Sequence, residues 1–372
     1  MGKVVKNDNR MGWVRNLEAV DLSKPCSTQE YEFESESRIG GVLNYDDGKV
    51  QAGPLSFPSK PTELHRYLLK ITYPDGLTTH NANANKKGYA FKEGTAGELL
   101  SLLSLHFQSR FYLRASYYGE LTKKSMKLRT AYPFRHQVTP VAHNPKILKG
   151  GGSRNFAVGL TEFLDSVQKL DEKKHERFII ACWHYARALR DIGIDSEMVF
   201  IRLVSAIEVL SESFDLPTKD NPLEGCDFTS IVREENLSKQ QLKQLRDTLG
   251  VGKDGKVHIS KTKARFIGFT NEYSSGCLRG GNWKAHQLKI KRKDVPSIVG
   301  KIYDARSAYL HAGEPMYLSH FFLGSDTWDM DPSLGMAIDN KKISGKKKLP
   351  YAHWFENLVR CCLLNYLAEN SS

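Results

Sequence analysis

The sequence predicts an α+β protein, with a mixed α/β or mostly-β domain over residues 1–150 followed by an all-α helical bundle over residues 151–372. Short runs of aromatic and branched residues, separated by turn signals, fill the first part. Apolar residues recur at helical spacing in the second part. A length of 372 residues also exceeds the ~250 to 300 residues at which a single core stops growing, which favours two domains.

The N-terminal domain contains a predicted hairpin, two longer strands and one helix. In "GGVLNYDDGKVQAG" an Asp-Gly turn separates two short apolar-containing runs. "LHRYLLKITYPDG" and "RFYLRASYYG" are typical of strands. "TAGELLSLLSLHF" predicts a helix opened by Thr95, with Glu98 in the capping-box position three residues later.

A glycine-rich stretch, "HNPKILKGGGSRN" at 143–155, predicts a linker or loop and places the domain boundary near residue 150. It lacks the GxxxxGK[ST] frame of a phosphate-binding loop, so that reading is disfavoured. The helices expected beyond it are "FAVGLTEFLDSVQKL", "HERFIIACWHYARALRDIG", "DSEMVFIRLVSAIEVLSESF", "SKQQLKQLRDTLG", "KARFIGFTNEYSSG", "VPSIVGKIYDARSAYLH" and "LPYAHWFENLVRCCLLNYLAEN".

The formal net charge of +12 favours a polyanionic partner, because phosphate neutralisation by Lys and Arg releases counterions, and RNA, DNA or an acidic surface all fit. The charge is concentrated in lysine-rich runs at 123–129, 284–293 and 341–348, although each run alone could be a solvated loop. No apolar run approaches the ~20 residues of a membrane span, and no secretory signal is evident, which predicts a cytoplasmic protein without membrane contact.

The six cysteines contain no CxxC pair. In a reducing compartment they are expected to be buried free thiols rather than zinc ligands or redox partners. No metal or cofactor is therefore predicted.

Arg306 is the residue that departs most clearly from its local pattern. Asp294 and Pro296 are suited to begin the helix that contains it. At 100° per residue the apolar stripe of this helix passes through Arg306. The stripe consists of Val295, Ile298, Val299, Ile302 and Tyr309. A buried guanidinium requires an anion, and Glu208, at the rim of the apolar face of an earlier helix, is the candidate partner.

His311 lies about 140° around an ideal helix from Arg306, so one straight helix would not aim both at one point. Gly313 and Pro315 suggest that the helix is already ending at His311, which would free the imidazole from regular geometry. A histidine that only caps the helix C-terminus is the alternative. The R-x(4–6)-H spacing alone is weak evidence, since it recurs at Arg129/His136, Arg177/His184 and Arg279/His286.

Three segments together resemble the HEPN superfamily, in particular the Apea-like HEPN ribonucleases of prokaryotic defence systems. They are "FIRLVSAIEVLSES", "IYDARSAYLHAGEP" with its R-x4-H motif, and "FENLVRCCLLNYL", and the resemblance covers roughly residues 155 to 370. Many family members have Asn after the motif arginine, where this chain has Ser307.

The resemblance implies a metal-independent endoribonuclease without cofactors, whose active site forms where two HEPN domains pair in a homodimer. His311 would act on the ribose 2′-hydroxyl and Arg306 would hold the scissile phosphate, with Ser307, Tyr303 and Glu208 in support. RNA is the expected partner of the basic runs. The residues expected to bind it are Lys289, Lys291, Arg292, Lys293, Lys346, Lys347 and Lys348.

The expected biological role is that of an antiviral-defence or toxin-type effector, with the N-terminal domain as the place where a trigger ligand or regulator would act. Two alternatives stay open. The chain could be a non-catalytic HEPN module that binds nucleic acid or a partner protein, with Arg306 in a structural ion pair. It could also be an accessory or antitoxin-like partner of a nucleotidyltransferase.

Overall fold

The structure is a computed structural model that describes residues 12–57, 64–74, 94–118, 127–131, 154–192, 194–215, 227–228, 238, 240–242, 262–277, 290–316, 337–338, 341–342 and 349–371. Strands β1 to β10 span Cys26–Ser35, Ile39–Gly40, Leu43–Tyr45, Val50–Ser56, His65–Pro74, Tyr112–Tyr118, Lys127–Ala131, Arg154–Asn155, Ala337–Ile338 and Lys341–Lys342. Helices α1 to α8 span Gly12–Ala19, Gly94–Phe107, Leu160–Gln168, Glu172–Asp191, Ser196–Ser211, Thr262–Tyr273, Val295–Ala312 and Ala352–Asn370.

The mixed α and β content, with an N-terminal sheet followed by helices, agrees with the predicted α+β class. A six-stranded antiparallel sheet has the order β3-β4-β5-β1-β6-β7. The central strand β1 was not among the predicted strands; its residues alternate in character, with Tyr31 and Phe33 buried in the apolar core. Glutamates occupy the intervening positions, and Glu30 pairs with Lys70 on the neighbouring strand β5.

The predicted hairpin is present as β3 and β4, and its turn adopts left-handed backbone conformations. Asp46 and Asp47 have φ values of 50° and 53°, and Gly48 has a φ of 89°. Aspartate and glycine tolerate this region better than other residues, which explains the local sequence. The two longer predicted strands correspond to β5 and β6.

Helix α2 is present, but the predicted capping box at its start is wrong. The helix already begins at Gly94, so Thr95 lies inside it. The Glu98 carboxylate instead accepts hydrogen bonds from the backbone N–H groups of Gly12 at 3.0 Å and Trp13 at 2.9 Å. It thereby satisfies the first amides of α1, which is the same capping chemistry supplied from a different helix. Burial raises the pKa of Glu98 to about 7.

The C-terminal part is mainly helical, with the predicted helices present as α3 to α8. It is not purely α, because β8 pairs in parallel with β2 and β9 pairs with β10. Most of the predicted helix over 238–250 and most of the glycine-rich stretch lie outside the described residues. The division into two domains at residue 150 stays a prediction.

One continuous set of buried apolar residues includes both sheet and helices. Polar contacts cross the same junction: Arg360 in α8 donates to the carbonyl oxygens of Leu105 at 2.8 Å and His106 at 2.7 Å at the end of α2. The Gln108 amide donates to Glu356 at 2.9 Å. Helix α8 therefore anchors the end of α2 through polar contacts.

The expectation that the cysteines are buried free thiols is wrong for one pair. Cys277 and Cys361 form a disulfide, whereas Cys182 and Cys362 are free and buried, and Cys26 is free and partly exposed. Cys226 lies outside the described residues. Local sequence spacing did not reveal this pair, because its members are 84 residues apart.

In the described part of the chain, none of the helices combines the length and apolar character needed to cross a membrane.

Candidate functional site

Helix α7 carries the residues of the R-x4-H motif and is regular through its last turn. It ends at Ala312, and Gly313 follows in the left-handed region with a φ of 66°. The backbone N–H of Gly313 donates to the carbonyl oxygen of Tyr309 at 3.1 Å, which is a common way for an α-helix to end. His311 lies in the last turn, as predicted, but it still has helical geometry, so the expectation that the imidazole is freed from that geometry is wrong.

The start of α7 also differs in detail from the prediction. Residues 292–294 form a turn of 3-10 helix before it. The Asp294 carboxylate accepts from the Lys291 N–H at 3.3 Å and makes no side-chain cap to α7. Pro296 lies in the first turn as predicted, where a missing N–H is harmless.

The inner face of α7 is buried as the apolar stripe predicts. Val295, Ile298, Val299 and Ile302 are buried, and Tyr309 is partly buried. Gly300 allows a close approach of α6, because a Cβ at this position would lie 3.3 Å from Cδ1 of Ile267. Helix α6 is therefore a direct packing partner of the motif helix.

Arg306 continues this stripe and pairs with Glu208 on α5. Its Nη2 lies 2.8 Å from Oε2 of Glu208, and the two side chains are 18% and 19% exposed. The Nε atom is buried without a hydrogen-bond partner among the described contacts. The guanidinium carbon lies 6.0 Å from the ring centre of Tyr303, at the outer limit of a cation–π contact.

The electrostatics of this cluster reflect its partial burial. Burial raises the pKa of Glu208 above its ordinary value, and the charge of Arg306 and a hydrogen bond from Tyr303 oppose the rise. The pKa of Tyr303 is raised by burial and by the Glu208 charge. The phenol is therefore neutral near pH 7 and donates to the carboxylate. Tyr303, Glu208 and Arg306 thus form one connected polar cluster.

Glu197 is a residue of this region that the sequence did not reveal. It lies eleven residues before Glu208, close to three helical turns, and so on the same side of α5. Its Oε1 accepts from the Met316 N–H at 2.9 Å, just after α7. The negative charge of Glu197 also raises the pKa of Tyr309. Two glutamates on one face of α5 therefore hold the second half of α7.

His311 is exposed, and Ser307 is partly exposed. Because α7 is regular past His311, the imidazole stays about 140° around the helix from Arg306. On this regular helix the two side chains of the motif therefore point in different directions.

The described members of the predicted RNA-binding set lie at the opposite end of α7. Lys291, Arg292 and Lys293 are all exposed. Lys293, in the 3-10 turn, precedes Arg306 by 13 positions, which is about 20 Å along the helix axis. Lys289, Lys346, Lys347 and Lys348 lie outside the described residues.

Comparisons with known protein families, with curated proteins and with solved structures find no match to this chain. In the residues that the structure describes, no group of three or more His, Cys, Asp or Glu side chains could hold a metal ion.

Proposed function

We propose that this chain is an endoribonuclease of the HEPN kind, a cytoplasmic defence or toxin-type effector that cleaves RNA without a metal. The supporting observation is the placement of Arg306. A guanidinium that continues an apolar stripe, only 18% exposed, is held in a fixed orientation at the junction of α5 and α7. A fixed cation of this kind is suited to hold the charge that develops on a phosphate during cleavage.

The reaction proposed is internal attack of the ribose 2′-hydroxyl on the neighbouring phosphorus. His311 takes the proton of that hydroxyl, the bond from phosphorus to the 5′-oxygen breaks, and the leaving oxygen takes a proton from water. His311 then returns its proton to the hydroxide that remains. The products are a 2′,3′-cyclic phosphate and a 5′-hydroxyl. Histidine suits this step because its pKa in water lies near neutral pH. Arg306 holds the non-bridging phosphate oxygens.

Two copies of the chain are required in this mechanism. Since Arg306 and His311 diverge on one regular helix, the complete site combines Arg306 of one copy with His311 of the other. A two-fold dimer presents the same surface from both copies, so it would contain two such sites.

A second candidate function is favoured by the Arg306–Glu208 pair itself. A non-catalytic module that binds nucleic acid or a partner protein would use Arg306 as a structural cation, and the pair supplies its counter-charge. In that case Arg306→Ala would leave Glu208 partly buried and unpaired, and stability would fall. RNA binding would be salt-sensitive and would give no cyclic-phosphate product.

The test uses purified protein, single-stranded RNA and EDTA, with mapping of the RNA ends. The wild type should generate 2′,3′-cyclic phosphate ends. Arg306→Ala and His311→Ala should each lower the rate of RNA cleavage by about 100-fold or more. Lys301→Ala, an exposed cation on the same helix, is the matched control and should cleave normally. Unchanged cleavage in both motif variants would reject the assignment.

Mixing the two inactive variants tests the shared site. In a 1:1 mixture, half of the dimers contain one chain of each kind, and each mixed dimer has one complete site. Activity should therefore return to about a quarter of the wild-type value. No recovery, with mixed dimers shown to form, would mean that both residues act within one chain.

A further inference from the structure

The disulfide between Cys277 and Cys361 connects two elements that flank the motif helix. Cys277 lies in the turn after α6, Cys361 lies within α8, and their Cα atoms are 5.6 Å apart. Both are partly exposed. By contrast, Cys182 and Cys362 are fully buried, with 0% of each residue exposed. A small soluble thiol or disulfide can therefore reach the paired cysteines from the surface, as it can Cys26.

Asn365, one turn after Cys361, holds the same turn without a covalent bond. Its Nδ2 donates to the carbonyl oxygens of Tyr273 at 2.8 Å and Ser275 at 3.0 Å, and it lies 3.8 Å from each bonded sulfur. These contacts do not require the disulfide. Cleavage of the bond would therefore loosen the end of α6 on α8 without removing every contact between them.

Helix α6 links this bond to the candidate site. Phe266 of α6 contacts the ring of Tyr303 with 5.2 Å between ring centres. Nζ of Lys263 lies 2.7 Å from the Asp304 carboxylate. The ring closed by the disulfide, from residue 277 to residue 361, also contains the whole of α7. The oxidation state of one bond can therefore affect how firmly α6 supports the Tyr303–Glu208–Arg306 cluster.

We propose that Cys277 and Cys361 form a reversible thiol–disulfide site, and that oxidation tightens α6 and α7 around Arg306. The oxidant is a small disulfide such as oxidised glutathione. The two protein thiols lose two protons and two electrons, one sulfur–sulfur bond forms, and the glutathione disulfide is reduced to two thiols. The effect on activity rests on the proposed ribonuclease function: the oxidised chain is the more active form.

The first experiment equilibrates the full chain in buffers of oxidised and reduced glutathione and follows the two thiols by alkylation and mass spectrometry. The melting temperature of the oxidised form should be about 5 °C higher, as expected for closing a ring of this size in a chain of this length. Cys277→Ser and Cys361→Ser should abolish the difference. Cys26→Ser, which removes another partly exposed cysteine, should retain it.

Hydrogen exchange measures the coupling to α7 independently of catalysis. Backbone amides from Tyr303 to Tyr309 should exchange about tenfold more slowly in the oxidised form, and this difference should vanish in Cys277→Ser. Equal exchange in both forms would overturn the proposal, as would a melting difference that persists in Cys277→Ser.

RNA cleavage then separates the two proposals. A chain that cleaves equally well in both redox states would refute the regulation while leaving the ribonuclease function intact. A chain that shows the exchange and melting differences but cleaves RNA in neither state would refute the ribonuclease function and support the redox site.

Discussion

Glu356 in α8 should make the protein less stable as pH rises from about 4.5 to 7. Its carboxylate is fully buried, and burial raises its pKa to about 7, although hydrogen bonds from Tyr185 and Gln108 and the charge of Arg360 oppose the rise. In the unfolded chain the pKa is near 4.5, the ordinary value of a glutamate. The folded state therefore binds a proton more tightly than the unfolded state between these two values, and deprotonation favours unfolding.

The size of the effect follows from the difference in pKa. Each unit corresponds to about 1.4 kcal/mol, so a rise from 4.5 to about 7 makes Glu356 contribute roughly 3 kcal/mol less to stability above pH 7 than below pH 4.5. The contribution is fully present below the unfolded-state pKa and is lost as pH rises through the folded-state pKa. Glutamine cannot ionise and keeps similar size and hydrogen-bonding capacity, so Glu356→Gln should remove this pH dependence.

The assay is urea unfolding of the wild type and of Glu356→Gln at pH 5 and pH 8. The free energy of unfolding of Glu356→Gln relative to the wild type should increase by about 2.5 kcal/mol between the two pH values, because pH 5 lies slightly above the unfolded-state pKa. Glu272→Gln, at an exposed position on α6, is the matched control and should follow the wild type. If Glu356→Gln shows the same pH dependence as the wild type, the ionisation of this buried carboxyl is not responsible.

Two further changes test the contacts of the N-terminal sheet and helices by urea unfolding. Glu98→Ala should lower the free energy of unfolding by about 3 kcal/mol, because it leaves two buried N–H groups at the start of α1 without an acceptor; a loss below about 1 kcal/mol would contradict this. Gly41→Ala should lower the free energy of unfolding by about 1–2 kcal/mol, because φ at this position is +67° and the new Cβ would lie 1.8 Å from Oδ1 of Asn155. Gly40→Ala, whose nearest atom would be 3.8 Å away, should be close to neutral, and equal losses at both glycines would refute the conformational argument.

The features that could be predicted from the sequence are those set by local periodicity. Strands β5 and β6 follow from local runs of aromatic and branched residues, and the hairpin follows from its Asp-Gly turn. Strand β1 was not predicted, although its residues alternate between apolar and acidic. For Arg306, the helical count alone indicated a need for an anion, and Glu208 supplies it at 2.8 Å. In each case the partner or face follows from the spacing of nearby residues.

The features that were missed depend on partners far away in the sequence. Glu98 has the local spacing of a capping box, yet its carboxylate binds an amide 86 residues earlier. Cys277 and Cys361 are joined across 84 residues, and nothing in their local sequence indicates the pairing. A local pattern identifies the chemical group that is needed, whereas the tertiary packing decides which distant group satisfies it. The same holds for Glu197, whose contact with Met316 depends on how α5 and α7 pack together.

The geometry of Arg306 limits how the proposed reaction can use it. One N–H of Nη2 is donated to Glu208 and Nε is buried, so in the described part of the chain the two N–H groups of Nη1 and the second N–H of Nη2 are the donors left to meet a phosphate. The ion pair therefore orients the cation and still leaves more than one donor for the non-bridging phosphate oxygens. Because α7 stays regular through Ala312, the imidazole in the proposed mechanism reaches these donors from a second copy of the chain.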